Sequence, residues 1–77
     1  MFEDIYNKKV LITGSSSGIG FEIAKSFVER NCRVVINGRN EKKLKNASKK
    51  IEDTLIVSGN AENPFGAKKI VNKTVKL

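Results

Sequence analysis

The chain has 77 residues, of which 39% are hydrophobic and 30% are charged, and its formal net charge is +7. A chain of this length forms one small domain at most, and its balanced composition argues against a collagen-like, low-complexity or wholly disordered protein. Because no apolar run exceeds three residues and the first nine residues lack the features of a secretory signal, we expect a cytoplasmic protein without a membrane span.

The first half of the chain predicts a strand followed by a helix. The strand covers residues 8–13, and its compact apolar run indicates burial on both faces of a parallel sheet. The helix covers about 18–30, with Asn31 as a left-handed C-terminal cap. Apolar residues recur at helical spacing and are expected to form the buried face of this helix: Ile19, Ile23, Ala24, Phe27 and Val28.

A second strand and a second helix follow. The β-branched run predicts a strand over 33–37, and Asn40 is the predicted N-cap of a helix over about 41–52. Three residues at spacings of three and four should form the buried stripe of that helix: Leu44, Ala47 and Ile51. Its lysines then lie on the outer face.

The last segment predicts a third strand and a third helix. The strand covers 55–57 and leads into a polar loop, and Asn63 followed by Pro64 marks the start of a helix that continues to the end of the chain. Four residues of this helix share one face: Ala67, Ile70, Val71 and Thr74.

The alternating order predicts an α/β fold, namely half of a doubly wound, Rossmann-type parallel sheet with three strands in a β-α-β-α-β-α arrangement. In the complete fold the first strand is central, so here one of its edges is expected to be open, and such edges are normally paired or covered. We therefore interpret residues 1–77 as the N-terminal part of one larger domain, with the remainder of that domain absent from this sequence.

The turn between the first strand and the first helix reads Thr13-Gly14-Ser15-Ser16-Ser17-Gly18-Ile19-Gly20. At this position backbone N–H groups and a helix N-terminus can hold a pyrophosphate. The three glycines allow a turn, a close approach to phosphate and tight packing of the helix. No P-loop lysine follows, and since no base is nearby we expect the serines to form the turn and hydrogen-bond phosphate, not to act as nucleophiles.

This segment, taken with the strand before it, resembles the T-G-x-x-x-G-I-G signature of the short-chain dehydrogenase/reductase family. The resemblance continues through 34–40, which looks like the second strand and the turn after it, and through 58–61, where family members usually carry Asp-Val beside the adenine. Asn60 stands at the Asp position, and its amide could still hydrogen-bond an adenine edge. The resemblance implies that 1–77 is the N-terminal part of an NAD(P)-binding Rossmann domain.

The resemblance also implies a set of cofactor-binding residues: Gly14, Ser15, Ser16, Ser17, Gly18, Ile19, Gly20, Gly38, Arg39, Asn40, Asn60 and Ala61. An acid at the end of the second strand would bind a ribose 2′-hydroxyl and repel a 2′-phosphate, and Gly38 stands there instead. Arg39 offers a guanidinium suited to phosphate, which predicts NADP in preference to NAD. Many NADP-using relatives carry a basic residue where Ser17 lies, so the preference depends on Arg39, with Lys42 or Lys43 as candidates for additional charge.

Members of the family transfer a hydride with a Tyr-x-x-x-Lys pair and a serine, and neither that pair nor their Asn-Asn-Ala-Gly segment occurs here. The one tyrosine, Tyr6, precedes the first strand and has no lysine four residues later, so we expect a structural or tail role for it. The absence of histidine excludes a histidine base and a Cys/His zinc site, and Cys32 is expected to be a small buried side chain. No catalytic residue and no metal ligand is predicted within the chain.

The leading interpretation is the NADP(H)-binding portion of an oxidoreductase that transfers a hydride between NADP(H) and an alcohol or carbonyl substrate. One alternative is a non-enzymatic nucleotide-binding module, completed by a partner or a second copy that pairs with the open edge of the first strand. The other is nucleic-acid binding through the lysines that cluster in 42–50 and 66–77. Lysines on helices are more often a solvated face, so we do not expect nucleic acid as the partner.

Overall fold

The computed structural model describes residues 8–52 and 54–77. Three strands and three helices alternate in the predicted order, and their boundaries lie within two residues of the predicted ones. They are β1 (Lys9–Ile12), α1 (Gly18–Glu29), β2 (Arg33–Gly38), α2 (Glu41–Lys50), β3 (Thr54–Ser58) and α3 (Pro64–Val75).

The three strands form one parallel sheet in the order β1-β2-β3. Leu11 of β1 pairs with Val35 of β2, which pairs in turn with Leu55 of β3. Within the described residues β1 pairs only with β2, so its other edge is open. This arrangement confirms the predicted half of a doubly wound sheet.

The helices cover both faces of the sheet, and each face has its own core. On the first face α1 and α2 pack over Val34 and Ile36, and on the second face α3 packs over Val35 and Val57. Leu44, Ala47 and Ile51 are all buried on the first face, which confirms the stripe predicted for α2. Cys32 is buried in the same core, as expected.

The predicted helix caps are present. Asn31 has a φ of 61°, the left-handed conformation that ends α1. The side-chain oxygens of Asn40 and Asn63 accept hydrogen bonds from the backbone N–H groups of Lys43 (3.0 Å) and Gly66 (2.9 Å). At the other end of α3, Lys9 Nζ donates to the carbonyl oxygen of Thr74 at 3.2 Å. Side chains therefore satisfy backbone groups at the N-terminus of α2 and at both ends of α3.

The buried face predicted for α1 is wrong in two positions. Ile19 is 81% exposed and Ile23 is 42% exposed. Instead, the residue of α1 that is buried in the core is Ala24, and Phe21 and Phe27 are partly buried against the same core. Phe21 is two positions from both Ile19 and Ile23, which puts it on the opposite side of the helix, and it is the side with Phe21 that packs against the core.

Smaller departures occur at the edges of the fold. Val71 of α3 is 50% exposed, whereas Ile70 and Thr74, on the predicted face, are buried. All four residues of β1 are only half-buried, in contrast to the predicted burial on both faces, because the strand lies at the edge of the sheet. Within the described residues no helix is long and apolar enough to cross a membrane.

Candidate functional site

The loops after the three strands meet at one edge of the sheet, because the carboxyl ends of parallel strands point the same way. A cavity of about 270 Å³ lies there. It is lined by residues from all three loops, including Gly14, Gly38, Arg39, Asn60, Ala61 and Glu62. Five of the residues predicted from sequence as a cofactor site are therefore brought together.

The glycine loop depends on two glycines in the left-handed region and one close contact. Gly14 and Gly18 have φ values of 59° and 63°, which glycine adopts without a steric penalty. A Cβ atom on Gly20 would lie 2.9 Å from the Cα of Ser15 and would also strike the carbonyl oxygen of Gly14. The start of α1 therefore packs directly on the loop, as the spacing of the glycines predicts.

Ser15 connects the loop to β2. It is fully buried, its N–H donates to the carbonyl oxygen of Asn37 at 2.8 Å, and its hydroxyl accepts from the N–H of Asn37 at 2.9 Å. The same hydroxyl donates to the carbonyl oxygen of Ile12 at 2.6 Å. The Ser15 hydroxyl therefore bonds within the protein and holds the loop in place, and a contact between Ser15 and phosphate stays a prediction.

Asn37 is a residue that the sequence analysis missed. Its side chain is buried at the end of β2, and Nδ2 donates to the carbonyl oxygens of Val57 (2.9 Å) and Gly59 (3.3 Å). Asn37 thus joins the glycine loop, β2 and the end of β3 in one hydrogen-bonded unit. The available signal was an amide directly after a buried β-branched run, since a polar side chain there needs partners.

The N-terminus of α1 differs from those of the other two helices. Ser17 is its N-cap in extended conformation, and within the described residues the Ser17 side chain makes no cap hydrogen bond. The first-turn N–H groups and the positive end of the helix dipole are thus free of a side-chain acceptor. Ile19 is exposed in the same turn, and Ser17 is exposed beside it. This geometry can accept an anionic group from a ligand.

The end of β2 lies against the glycine loop. A Cβ atom on Gly38 would lie 3.1 Å from Oγ of Ser16, so glycine leaves space where another residue would displace the serine. Arg39 and Asn40 follow and are exposed. Because the Asn40 side-chain oxygen caps α2, its amide nitrogen is the part that remains for a ligand.

The loop after β3 places Asn60 and Ala61 on the far side of the cavity, and both are half-buried. Oδ1 of Asn60 accepts a hydrogen bond from the N–H of Glu62 at 2.9 Å. Ala61 packs partly against the core beneath α3. Tyr6, for which a structural or tail role is expected, lies outside the described residues. Within residues 8–52 and 54–77, no three His, Cys, Asp or Glu side chains group into a metal site.

The order of elements and the glycine loop at the first strand end define a Rossmann-type α/β fold. The family model for short chain dehydrogenases matches residues 8–77, and the chain belongs to this family.

Curated relatives of the chain are reductases and dehydrogenases. It is 36% identical over 75 residues to the 3-oxoacyl-(acyl-carrier-protein) reductase of Rickettsia prowazekii, covering 96% of this chain and 31% of the relative. It is 30% identical over 79 residues to the 11-beta-hydroxysteroid dehydrogenase-like 2 of Arabidopsis thaliana, covering 96% of this chain and 26% of the relative. The chain thus spans less than a third of the length of these relatives.

A solved structure extends the similarity to three dimensions. The 3-ketoacyl-(acyl-carrier-protein) reductase from Brucella melitensis, complexed with NADH, superposes with a TM-score of 0.85 and 27% sequence identity. The match covers 94% of this chain and 30% of that one. The parallel sheet with helices on both faces is therefore shared with a complete reductase.

Proposed function

We propose that these residues bind a nicotinamide dinucleotide, preferentially NADP(H), at the carboxyl ends of β1, β2 and β3. The observation that carries the proposal is the convergence of three features at one end of the sheet: a glycine loop, Arg39 and the N-terminus of α1, which has no side-chain cap from Ser17 in the described part of the chain. An anionic pyrophosphate suits the first two features, and a 2′-phosphate suits the third. The Brucella reductase with the same fold is complexed with NADH, which supports a nicotinamide dinucleotide as the class of ligand.

Each part of the dinucleotide has a matching group of residues. The pyrophosphate would lie against the loop and first turn of α1: Gly14, Ser16, Ser17, Gly18, Ile19 and Gly20. The adenosine would lie in the cavity between the ends of β2 and β3, against Gly38, Arg39, Asn40, Asn60 and Ala61. Ser15 supports the loop from beneath. A phosphate has room to approach the backbone here, because no atom lies within 4 Å of the place where a Cβ on Gly14 or Gly18 would be. Both residues also have a positive φ, which favours glycine.

The preference for NADP follows from the chemistry at the end of β2. Gly38 places no carboxylate beside the ribose at the end of β2, which leaves Glu62 as the one carboxylate among the residues that line the cavity. Arg39 is exposed and lines the same cavity, where its guanidinium can pair with phosphate. We therefore assign Arg39 the main role in distinguishing NADP from NAD.

The protein to which these residues belong would transfer a hydride between NADP(H) and an alcohol or carbonyl compound. The names of the relatives support this reaction class, since they are reductases and dehydrogenases. When bound, the nicotinamide ring supplies the hydride chemistry, and these residues hold and orient the dinucleotide. We assign no proton donor to the described residues.

We further propose that residues 1–77 are the first part of one dinucleotide-binding domain. The matched relatives are more than three times as long as the aligned segment, and the family match begins at residue 8. The open edge of β1 would then be paired by another parallel strand of the same domain.

A titration of the isotope-labelled chain with NADP and NAD, followed by amide NMR, tests the binding proposal. We expect shifts centred on residues 14–20 and on Arg39, larger at equal concentration for NADP than for NAD. In Arg39→Ala the NADP response should weaken by about tenfold in affinity, because a charge-assisted contact to phosphate is lost. Spectra that respond to neither nucleotide would contradict the proposal.

A further inference from the structure

A second cavity lies beside the candidate site, between the glycine loop and α2. Its volume is about 360 Å³, and its lining includes Ser16, Ser17, Lys43 and Lys50. No carboxylate is among the residues that line it. The proposed dinucleotide site therefore adjoins a pocket whose charged groups are all positive.

The two cavities meet where Ser16 contacts the end of β2. Gly38 lines the first cavity and Ser16 lines the second, and a Cβ atom on Gly38 would be 3.1 Å from the Ser16 hydroxyl oxygen. A ribose placed beside Gly38 is thus next to both cavities. Its 2′ substituent would then lie near residues of both cavities, with Arg39 in the first and Lys43 in the second.

The charged side chains that line the second cavity are all positive, whereas the first cavity has charges of both signs, so the second is the more favourable place for a phosphate. Arg39 shares its cavity with Glu62, whose carboxylate would repel a dianion. Lys43 and Lys50 have no such neighbour in their cavity lining. Ser17, at the same junction, supplies a hydroxyl and no charge of its own, so any further cation must come from α2.

Among the lysines of α2, Lys43 has the position that best suits a contact with the phosphate. It lies in the first turn of the helix, where its N–H bonds to the side chain of Asn40 at 3.0 Å. Lys50 follows seven residues later, about 10 Å further along the helix axis. Lys45 is paired with Glu41 at 3.6 Å. Lys42 is exposed and is not part of the cavity lining.

We infer that Lys43 is a specificity-determining residue for NADP, which supplies a second cation to the 2′-phosphate from the second cavity. This inference rests on the dinucleotide site proposed above and adds a residue to it. Lys43 would contribute little to NAD binding, since the ribose 2′-hydroxyl is uncharged.

The test compares two neighbouring lysines in the same chain. Affinities for NADP and NAD are measured at one salt concentration for the parent chain, Lys43→Gln and the control Lys42→Gln. We expect Lys43→Gln to lower NADP affinity by about fivefold, as for a partly exposed charge-assisted contact, and to leave NAD affinity unchanged. Lys42→Gln removes the same charge from the same helix turn and should change neither affinity. Lys43→Arg should restore the preference.

A second measurement reports on the lysine directly. Reductive methylation followed by mass spectrometry should show Lys43 protected by NADP and not by NAD, whereas Lys42 should be modified equally in both. An unchanged NADP-to-NAD ratio in Lys43→Gln, or an equal loss in Lys42→Gln, overturns the role of Lys43 while the dinucleotide site stands. If the parent chain binds neither nucleotide, the proposed function itself fails, and this inference fails with it.

Discussion

Helices α1 and α2 lie on the same face of the sheet, yet they use their apolar residues differently. In α2 the whole predicted stripe is buried, with Leu44 at 0%, Ala47 at 3% and the adjoining Ile51 at 4% exposure. In α1 only Ala24 is fully buried, and Ile19 and Ile23 are exposed. Apolar spacing thus shows which side chains share a helix flank, while burial depends on what lies opposite that flank.

The N-termini of the two helices show the same contrast. Asn40 caps α2 with its own side chain, so that the backbone groups of the first turn are satisfied locally. Ser17 gives α1 no such bond within the described part of the chain. The first turn of α2 therefore has a side-chain acceptor, whereas in α1 the proposed pyrophosphate would supply one.

The largest expected effect that tests this contrast comes from Leu44→Ala. Leu44 is fully buried in the first core, so its truncation should lower the free energy of unfolding by about 2–5 kcal/mol, from lost burial and the cavity left behind. Ile23→Ala in α1 is the matched control and should lower it by less than about 1 kcal/mol, because Ile23 is 42% exposed. Urea unfolding followed by circular dichroism measures both.

Equal losses for Leu44→Ala and Ile23→Ala would contradict the contrast. They would mean that Ile23 is buried in solution, as the apolar spacing of α1 predicts.

Gly20→Ala should produce the next largest change in the free energy of unfolding. Whether the substitution stabilises or destabilises the fold is itself informative. In an ordinary helix this change stabilises by about 0.5–1 kcal/mol, because alanine loses less backbone entropy than glycine. Here the added Cβ would strike the carbonyl oxygen of Gly14 and approach the Cα of Ser15, both of which are backbone atoms. We expect destabilisation by about 1–3 kcal/mol, as in other overpacked sites.

The same urea experiment measures Gly20→Ala. Ser26→Ala, at an exposed position of the same helix, serves as the control and should change stability by no more than about 0.5 kcal/mol. A stabilised Gly20→Ala variant would show that α1 does not pack tightly on the loop.

These contrasts also show what the sequence could predict. The strand and helix types, the caps at Asn40 and Asn63, and the glycine loop were all predicted from neighbouring residues, because periodicity, capping and turn formation are local. The bonds between Ser15 and Asn37 join residues 22 apart in sequence and required the register of β1 against β2. The exposure of Ile19 and Ile23 depended on which side of α1 meets the sheet, and the spacing of the apolar residues did not specify that side.

The smallest expected change in the free energy of unfolding comes from the helix caps. It compares the N-termini of α1 and α2 directly. Asn40→Ala removes the acceptor of the Lys43 N–H and should lower the free energy of unfolding by about 1 kcal/mol. Ser17→Ala removes no cap hydrogen bond that the described residues show, so we expect a change of less than about 0.5 kcal/mol. If Ser17→Ala destabilised as much as Asn40→Ala, its hydroxyl would cap α1 in solution. The first-turn N–H groups would then already have an acceptor, and a pyrophosphate would have to displace it before binding there.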